Sequence, residues 1–210
     1  MTQHTSDGHH TLAWQAQSLL LAYPDENLAE RLDLARRVAA TRPRQVGEPL
    51  LTFVEHAERT DLHALATAYV ATFDHRKRCC PYLTYYAHGD TRNRGVALLR
   101  LKQAYTAAGW RLGDDELPDH IAVLLEFAAT TPRAGGELLG EHRAGLELLR
   151  LALRESASPW ADVLDSVSAT LPALEGDAHD AVRRLAAQGP PEEQVGLAPF
   201  IPLTSLGGRR

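Results

Sequence analysis

Apolar residues return every three to four positions along almost the whole of this 210-residue chain, and proline or glycine stands where most of those runs stop. That period matches one face of an α-helix, whereas a half-buried strand needs alternation at every second residue. The apolar set is mostly Leu and Ala, isoleucine occurs only as Ile121 and Ile201, and a chain short of β-branched residues favours helix. The expectation is an all-α fold: a compact single-domain bundle of about nine to ten helices. No repeat period is present.

Start and stop signals divide the chain further. Leu12, Ala16, Leu19, Leu20 and Tyr23 line a first helix that Pro24 ends, and Asp25 is placed to cap a second, with Leu28, Leu32, Ala35 and Val38. A short helix is expected from Pro49, and another capped by Asp61 with Leu62, Leu65, Tyr69 and Phe73. Residues 74–91 are less regular. Thr91 opens a long helix containing Leu98, Leu101 and Tyr105, with Gly109 at the position that ends helices in the left-handed conformation. Further helices follow from Pro118, from Glu137 to about Glu155, from Pro159, and around Val182 and Leu185. Residues 1–10 read as a disordered leader, 11–188 as the helical domain, and 189–210 as a Pro/Gly-rich flexible tail.

The net charge of −5 hides an uneven distribution. Residues 1–73 carry 6 basic and 9 acidic side chains, residues 74–111 carry 8 and 2, and residues 112–210 carry 8 and 16. The basic block holds His75-Arg76-Lys77-Arg78, three tyrosines, then Arg92, Arg94, Arg100 and Lys102. It reads either as an anion site, because arginine forks suit phosphate, or as a solvated face paired with the protein's own acids. Overall acidity and the lack of a helix-turn-helix signature weigh against nucleic acid. No apolar run is long enough for a membrane span, so a cytoplasmic protein without stable membrane association is expected.

Catalytic signatures are missing. There is no Gly-rich phosphate loop and no G-x-S-x-G or H-E-x-x-H element, and the ten histidines form no ligand spacing. The adjacent Cys79 and Cys80 lack the second pair that a zinc site wants, and a buried, inert role is the expectation for them. More informative is Glu116-Leu117-Pro118-Asp119-His120, which leads into a strongly apolar helix. One reading is a well-capped helix start with His120 in solvent. The other is an acidic edge beside an apolar groove, with Asp119 and Glu116 holding the basic part of an amphipathic peptide.

Four segments carry a resemblance. Leu19-Leu20-Leu21-Ala22-Tyr23-Pro24-Asp25, Tyr69-x-x-x-Phe73-Asp74, the run from Arg78-Cys79-Cys80-Pro81-Tyr82 to His88-Gly89-Asp90-Thr91-Arg92, and Glu116 to His120 together resemble the delta-subunit or NarJ-type assembly chaperones of respiratory nitrate reductase. These form a branch of the TorD-like redox-enzyme maturation proteins, and the likeness runs in order from about residue 12 to residue 130. It implies an all-helical, non-catalytic cytoplasmic chaperone with no cofactor of its own. Its partner would be the apo catalytic (alpha) subunit, bound through an N-terminal leader-like peptide and held for molybdenum cofactor insertion before membrane docking. The cofactor insertion machinery is a further implied partner. Peptide recognition is implied at Pro118, Asp119 and His120, to which Glu116, Tyr69, Phe73, Tyr82, Tyr85, Tyr86, His88 and Asp90 are added as candidates. The competing reading is a molybdopterin-binding or delivery protein that uses the basic segment 74–111.

Overall fold

The computed structural model describes residues 10–113, 116–174 and 176–188. Eleven α-helices are present among them, which bears out the all-α expectation. They are α1 (Thr11–Leu21), α2 (Leu28–Ala39), α3 (Arg44–Glu58), α4 (Leu62–Phe73), α5 (Leu83–His88), α6 (Arg92–Ala107), α7 (Ile121–Thr130), α8 (Pro132–Glu141), α9 (Arg143–Glu155), α10 (Trp160–Ala169) and α11 (Asp177–Gln188). The expected leader, apart from His10, and the expected tail lie outside the described residues.

The two helices beyond the expected number come from short elements. α5 is six residues, too short to show a period, and a separate α8 starts at Pro132 ahead of α9. Pro49 lies inside α3 instead of at its start, because the helix begins five residues earlier at Arg44. Asp61 caps α4 as expected, accepting from the backbone N–H groups of His63 and Ala64 at 2.9 and 3.2 Å. Asp25 does not cap α2; it accepts from the Asn27 N–H at 2.8 Å and pairs with Arg31, while Asn27 takes the cap position.

The centre is α7, in which every residue except Glu126, Ala129 and Thr130 is buried. α1 packs along it most extensively, α8 also packs on it, and further contacts pair α10 with α3 and α3 with α2. Close approach of α8 to α7 requires Gly135, where a Cβ would meet the Ala128 Cα at 2.2 Å. The face of α1 differs from expectation: Leu12 and Tyr23 are 54% and 51% exposed, while Trp14, Gln17 and Ser18 are buried. Polar atoms fix the register of this contact. Trp14 Nε1 donates to Thr170 Oγ1 at 2.9 Å, Gln17 Nε2 to Ser166 Oγ at 2.8 Å, and Ser18 Oγ to the Ala122 carbonyl at 2.7 Å. Each such bond satisfies a group whose unpaired burial would cost about 1–3 kcal/mol.

α6 is set apart from this core. Only Leu101 and Tyr105 are buried on it, and it packs mainly on α5. What holds it is the segment before α7, as the site shows.

Candidate functional site

The irregular stretch after α4 and the segment before α7 meet as two extended pieces of backbone. The Leu83 N–H donates to the Asp119 carbonyl and the Ile121 N–H to the Pro81 carbonyl, both at 2.9 Å, forming an antiparallel bridge between Tyr82 and His120. No sequence period announces an isolated bridge, because each side contributes a single residue. It brings the N-termini of α5, α6 and α7 to one place, with the C-terminus of α4 alongside.

Asp119 is the buried hub of this junction. Its side chain is fully inaccessible; Oδ2 accepts from Thr84 Oγ1 at 2.5 Å and lies 3.5 Å from Arg94 Nη2. Arg94 also pairs with Asp90 at 3.1 Å, and its guanidinium sits 5.6 Å from the centre of the Tyr82 ring. The Tyr105 hydroxyl donates to the Pro118 carbonyl at 2.6 Å. Pro118 and Asp119 therefore tie α5 and α6 to the core. Asp119 has no exposed atom with which to grip a peptide, which corrects the expectation that it receives the basic part of a ligand.

His120 is half-buried and does not lie open in solvent. It occupies the N-cap of α7, its Nδ1 accepting from the Ala122 N–H at 3.2 Å, so Pro118 precedes the helix and is not its first residue. Its ring meets Tyr82 edge to face with centroids 5.4 Å apart. Burial pushes the His120 pKa below the usual 6.5, with the charges of Asp119 and Asp74 pulling the other way. His142 is lowered in the same manner, by burial first. Both imidazoles are then neutral at pH 7, where the unfolded chain begins to take up protons before the folded one does. Stability from these groups is complete above pH 6.5 and falls as the pH drops through and below it. A melting temperature that is flat from pH 7 to 8 and declines on acidification is expected, with a shallower decline in His120→Asn, which keeps a capping acceptor; equal slopes in both proteins would remove this assignment.

The remaining candidates divide by burial. Tyr69, Phe73 and Tyr86 are core residues and not a peptide surface. Tyr69 donates to the Leu21 carbonyl at 3.0 Å and, with Phe73, packs on Trp160. The Tyr86 hydroxyl reaches the carbonyls of Arg78 and Cys80, each at 3.0 Å. These aromatic positions follow the helical period, and period alone identifies the buried face.

Tyr82, Tyr85 and His88 are half-buried, while Asp90 and Glu116 are exposed. The Glu126 carboxyl is pushed up by burial first and then by the charge of Glu116. Asp74 is the acid that sequence reasoning passed over. It ends α4, is exposed, and has no ion-pair or hydrogen-bond partner for its side chain among the described residues. Its charge is felt at Tyr69, Tyr82 and His120. The signal was available, since Asp74 and Asp90 are the only acids in the basic block 74–111.

The two cysteines are free, Cys79 buried and Cys80 half-buried, and desolvation pushes both thiols up. Neither is an activated nucleophile. Among the described residues no group of His, Cys, Asp and Glu could hold a metal ion, and no helix is long and apolar enough to cross a membrane.

The model of the nitrate reductase delta subunit family matches residues 40–165, a span that contains α3 to α9 and the whole Tyr82–His120 junction. The chain belongs to that family. It is 39% identical over 160 residues to the nitrate reductase-like protein NarX of Mycobacterium tuberculosis, a match covering 76% of this chain and 24% of that protein. The chain thus spans about a quarter of that relative. It is 35% identical over 162 residues to the Bacillus subtilis protein named as the nitrate reductase molybdenum cofactor assembly chaperone NarJ, covering 76% of this chain and 88% of the relative. Escherichia coli NarJ, a nitrate reductase molybdenum cofactor assembly chaperone, is 30% identical over 152 residues, covering 70% and 64%. A solved structure from Archaeoglobus fulgidus, assigned as a candidate redox enzyme maturation protein, shares the fold with a TM-score of 0.56 at 24% identity, over 89% of this chain and 96% of that one. Two of these relatives are thus named as molybdenum cofactor assembly chaperones.

Proposed function

We propose that this chain is the dedicated cytoplasmic chaperone of the catalytic subunit of respiratory nitrate reductase. It binds the apo subunit through its N-terminal leader-like peptide and holds it for molybdenum cofactor insertion before membrane docking. The observation that carries the reading is the platform formed by Tyr82 and His120, two rings packed at 5.4 Å and both half-exposed, with the unpartnered carboxylate of Asp74 beside them.

The physical logic differs from a groove lined by Asp119. A leader peptide pays entropy to order, so its affinity comes from a few anchors. Tyr82 supplies aromatic area against which an apolar side chain packs, and Asp74 supplies charge selection for a basic one. Asp119, Pro118 and Thr84 set the platform's shape from beneath. Asp90 is already engaged by Arg94.

Calorimetry with a synthetic peptide of the catalytic subunit's N-terminal segment tests this. Tyr82→Ala and Asp74→Asn each weaken binding by about tenfold, equivalent to ~1.4 kcal/mol, while both variants keep the wild-type melting temperature to within a few degrees. Unchanged affinity in both would displace the platform as the client site.

A further inference from the structure

The basic run Arg76-Lys77-Arg78 takes no part in the client platform, yet it has a defined structural setting. Lys77–Cys79 form a single 3-10 turn that packs against the last turns of α9, and a cavity of about 380 Å3 opens between the two. Arg76, Lys77 and Arg78 form its basic wall, Cys79 and Ala152 contribute apolar surface, and Glu155 and Ser156 lie on the α9 side.

Charge is unbalanced here. Arg78 is 3.4 Å from Glu155, but both side chains are largely exposed, and such pairs are weak and easily exchanged. Arg76 and Lys77 have no carboxylate partner among the described residues. Three cations thus face one carboxylate, and the adjacent thiol adds no negative charge because burial raises its pKa. The turn is also held in shape. The Cys79 N–H donates to the Arg76 carbonyl at 2.8 Å, and the buried Tyr86 hydroxyl braces the carbonyls of Arg78 and Cys80. The basic side chains are therefore presented from a braced backbone, which lowers the entropy lost on gripping a ligand.

We infer that this cavity is a binding site for a phosphate group carrying two or more negative charges, free as diphosphate or carried on a small organic ester. A net excess of two positive charges matches such a group better than a single carboxylate, and the arginine forks accept phosphate oxygens two at a time. The Cys79–Ala152 surface gives the organic part of an ester an apolar surface to lie against. This site is separate from the client platform, so either can fail without the other.

Titration of the full-length chain with sodium pyrophosphate and, separately, with guanosine monophosphate tests the inference, read by calorimetry and by backbone amide shifts. Saturable binding is expected for at least one probe, with shifts concentrated at residues 76–79 and 152–156. Arg76→Gln with Lys77→Gln weakens it about tenfold, Glu155→Gln strengthens it about two- to threefold, and added salt weakens it. These three residues are exposed, so the fold is retained. Ala152→Leu separates the sources: it weakens the monophosphate and spares pyrophosphate if an ester's organic part lies on that surface, and leaves both affinities unchanged if the phosphate alone is held. No saturable binding of either probe up to about 10 mM overturns the site, as does an affinity unchanged by the double glutamine variant.

Discussion

Asp119→Ala is expected to cost the fold about 3–5 kcal/mol, the range for removing one partner of a buried charge pair. The carboxylate is fully buried, and its loss removes the acceptor of the Thr84 hydroxyl and leaves a mostly buried Arg94 guanidinium with only the exposed Asp90 as a carboxylate partner among the described residues. α6 has little other attachment, since only Leu101 and Tyr105 are buried on it. Its amides should therefore exchange much faster in the variant than those of α7, in addition to a fall in the global denaturation midpoint. Asp119→Asn preserves an acceptor for Thr84 and loses less. A midpoint for Asp119→Ala within experimental error of wild type would show that the hub carries no structural load. If the prediction holds, a loss of client binding in this variant reports a collapsed platform and not a lost contact, which Tyr82→Ala and Asp74→Asn are chosen to separate.

Trp160→Ala is expected to cost a similar amount, about 3–5 kcal/mol, for a different reason. Trp160 is fully buried at the start of α10, and the rings of Phe53, Tyr69 and Phe73 surround it with centroids 5.8, 5.4 and 5.5 Å away. Truncation leaves a cavity that three aromatic rings from α3 and α4 cannot refill without leaving their own rotamers. Because Asp74 follows directly on α4, client affinity should fall as well, though less than in Tyr82→Ala. Trp160→Phe should recover much of the stability, since the indole Nε1 has no hydrogen-bond partner among the described residues to lose. Urea denaturation of the three proteins checks this, and a loss below about 1 kcal/mol for Trp160→Ala would mean that the aromatic cluster repacks freely.

These two residues show what could be read in advance and what could not. Trp160 is legible: a large apolar side chain at the head of a periodic segment behind Pro159 belongs in a core. Tyr69 and Phe73 are legible as the buried face of α4 by the same period, whereas their place in the resembling segments does not distinguish core from contact. Asp119 was not legible. An acid two residues before a helix reads as an exposed charge at the positive end of the helix dipole. Its burial depends on Thr84 and Arg94, which lie 35 and 25 residues away in sequence.

The same division applies to the basic block. Its excess of positive charge is a count that any reader of the sequence can make, and the choice between an anion site and a solvated face could not be made from the count. In the structure the block splits. Arg94 turns inward to Asp119 and Asp90, while Arg76 and Lys77 remain beside an open cavity.

By itself the sequence determined the helical class, most helix positions and the family, because these rest on local periodicity, capping residues and short ordered motifs that neighbouring side chains encode. Tertiary structure alone decided which polar residues of those motifs are buried and which stay accessible. A one-residue bridge between Tyr82 and His120 buries Asp119 and leaves Tyr82, His120 and Asp74 accessible at one surface. That outcome is set by desolvation and pairing across distant segments, where the stability of a buried carboxylate depends on partners that no local pattern specifies.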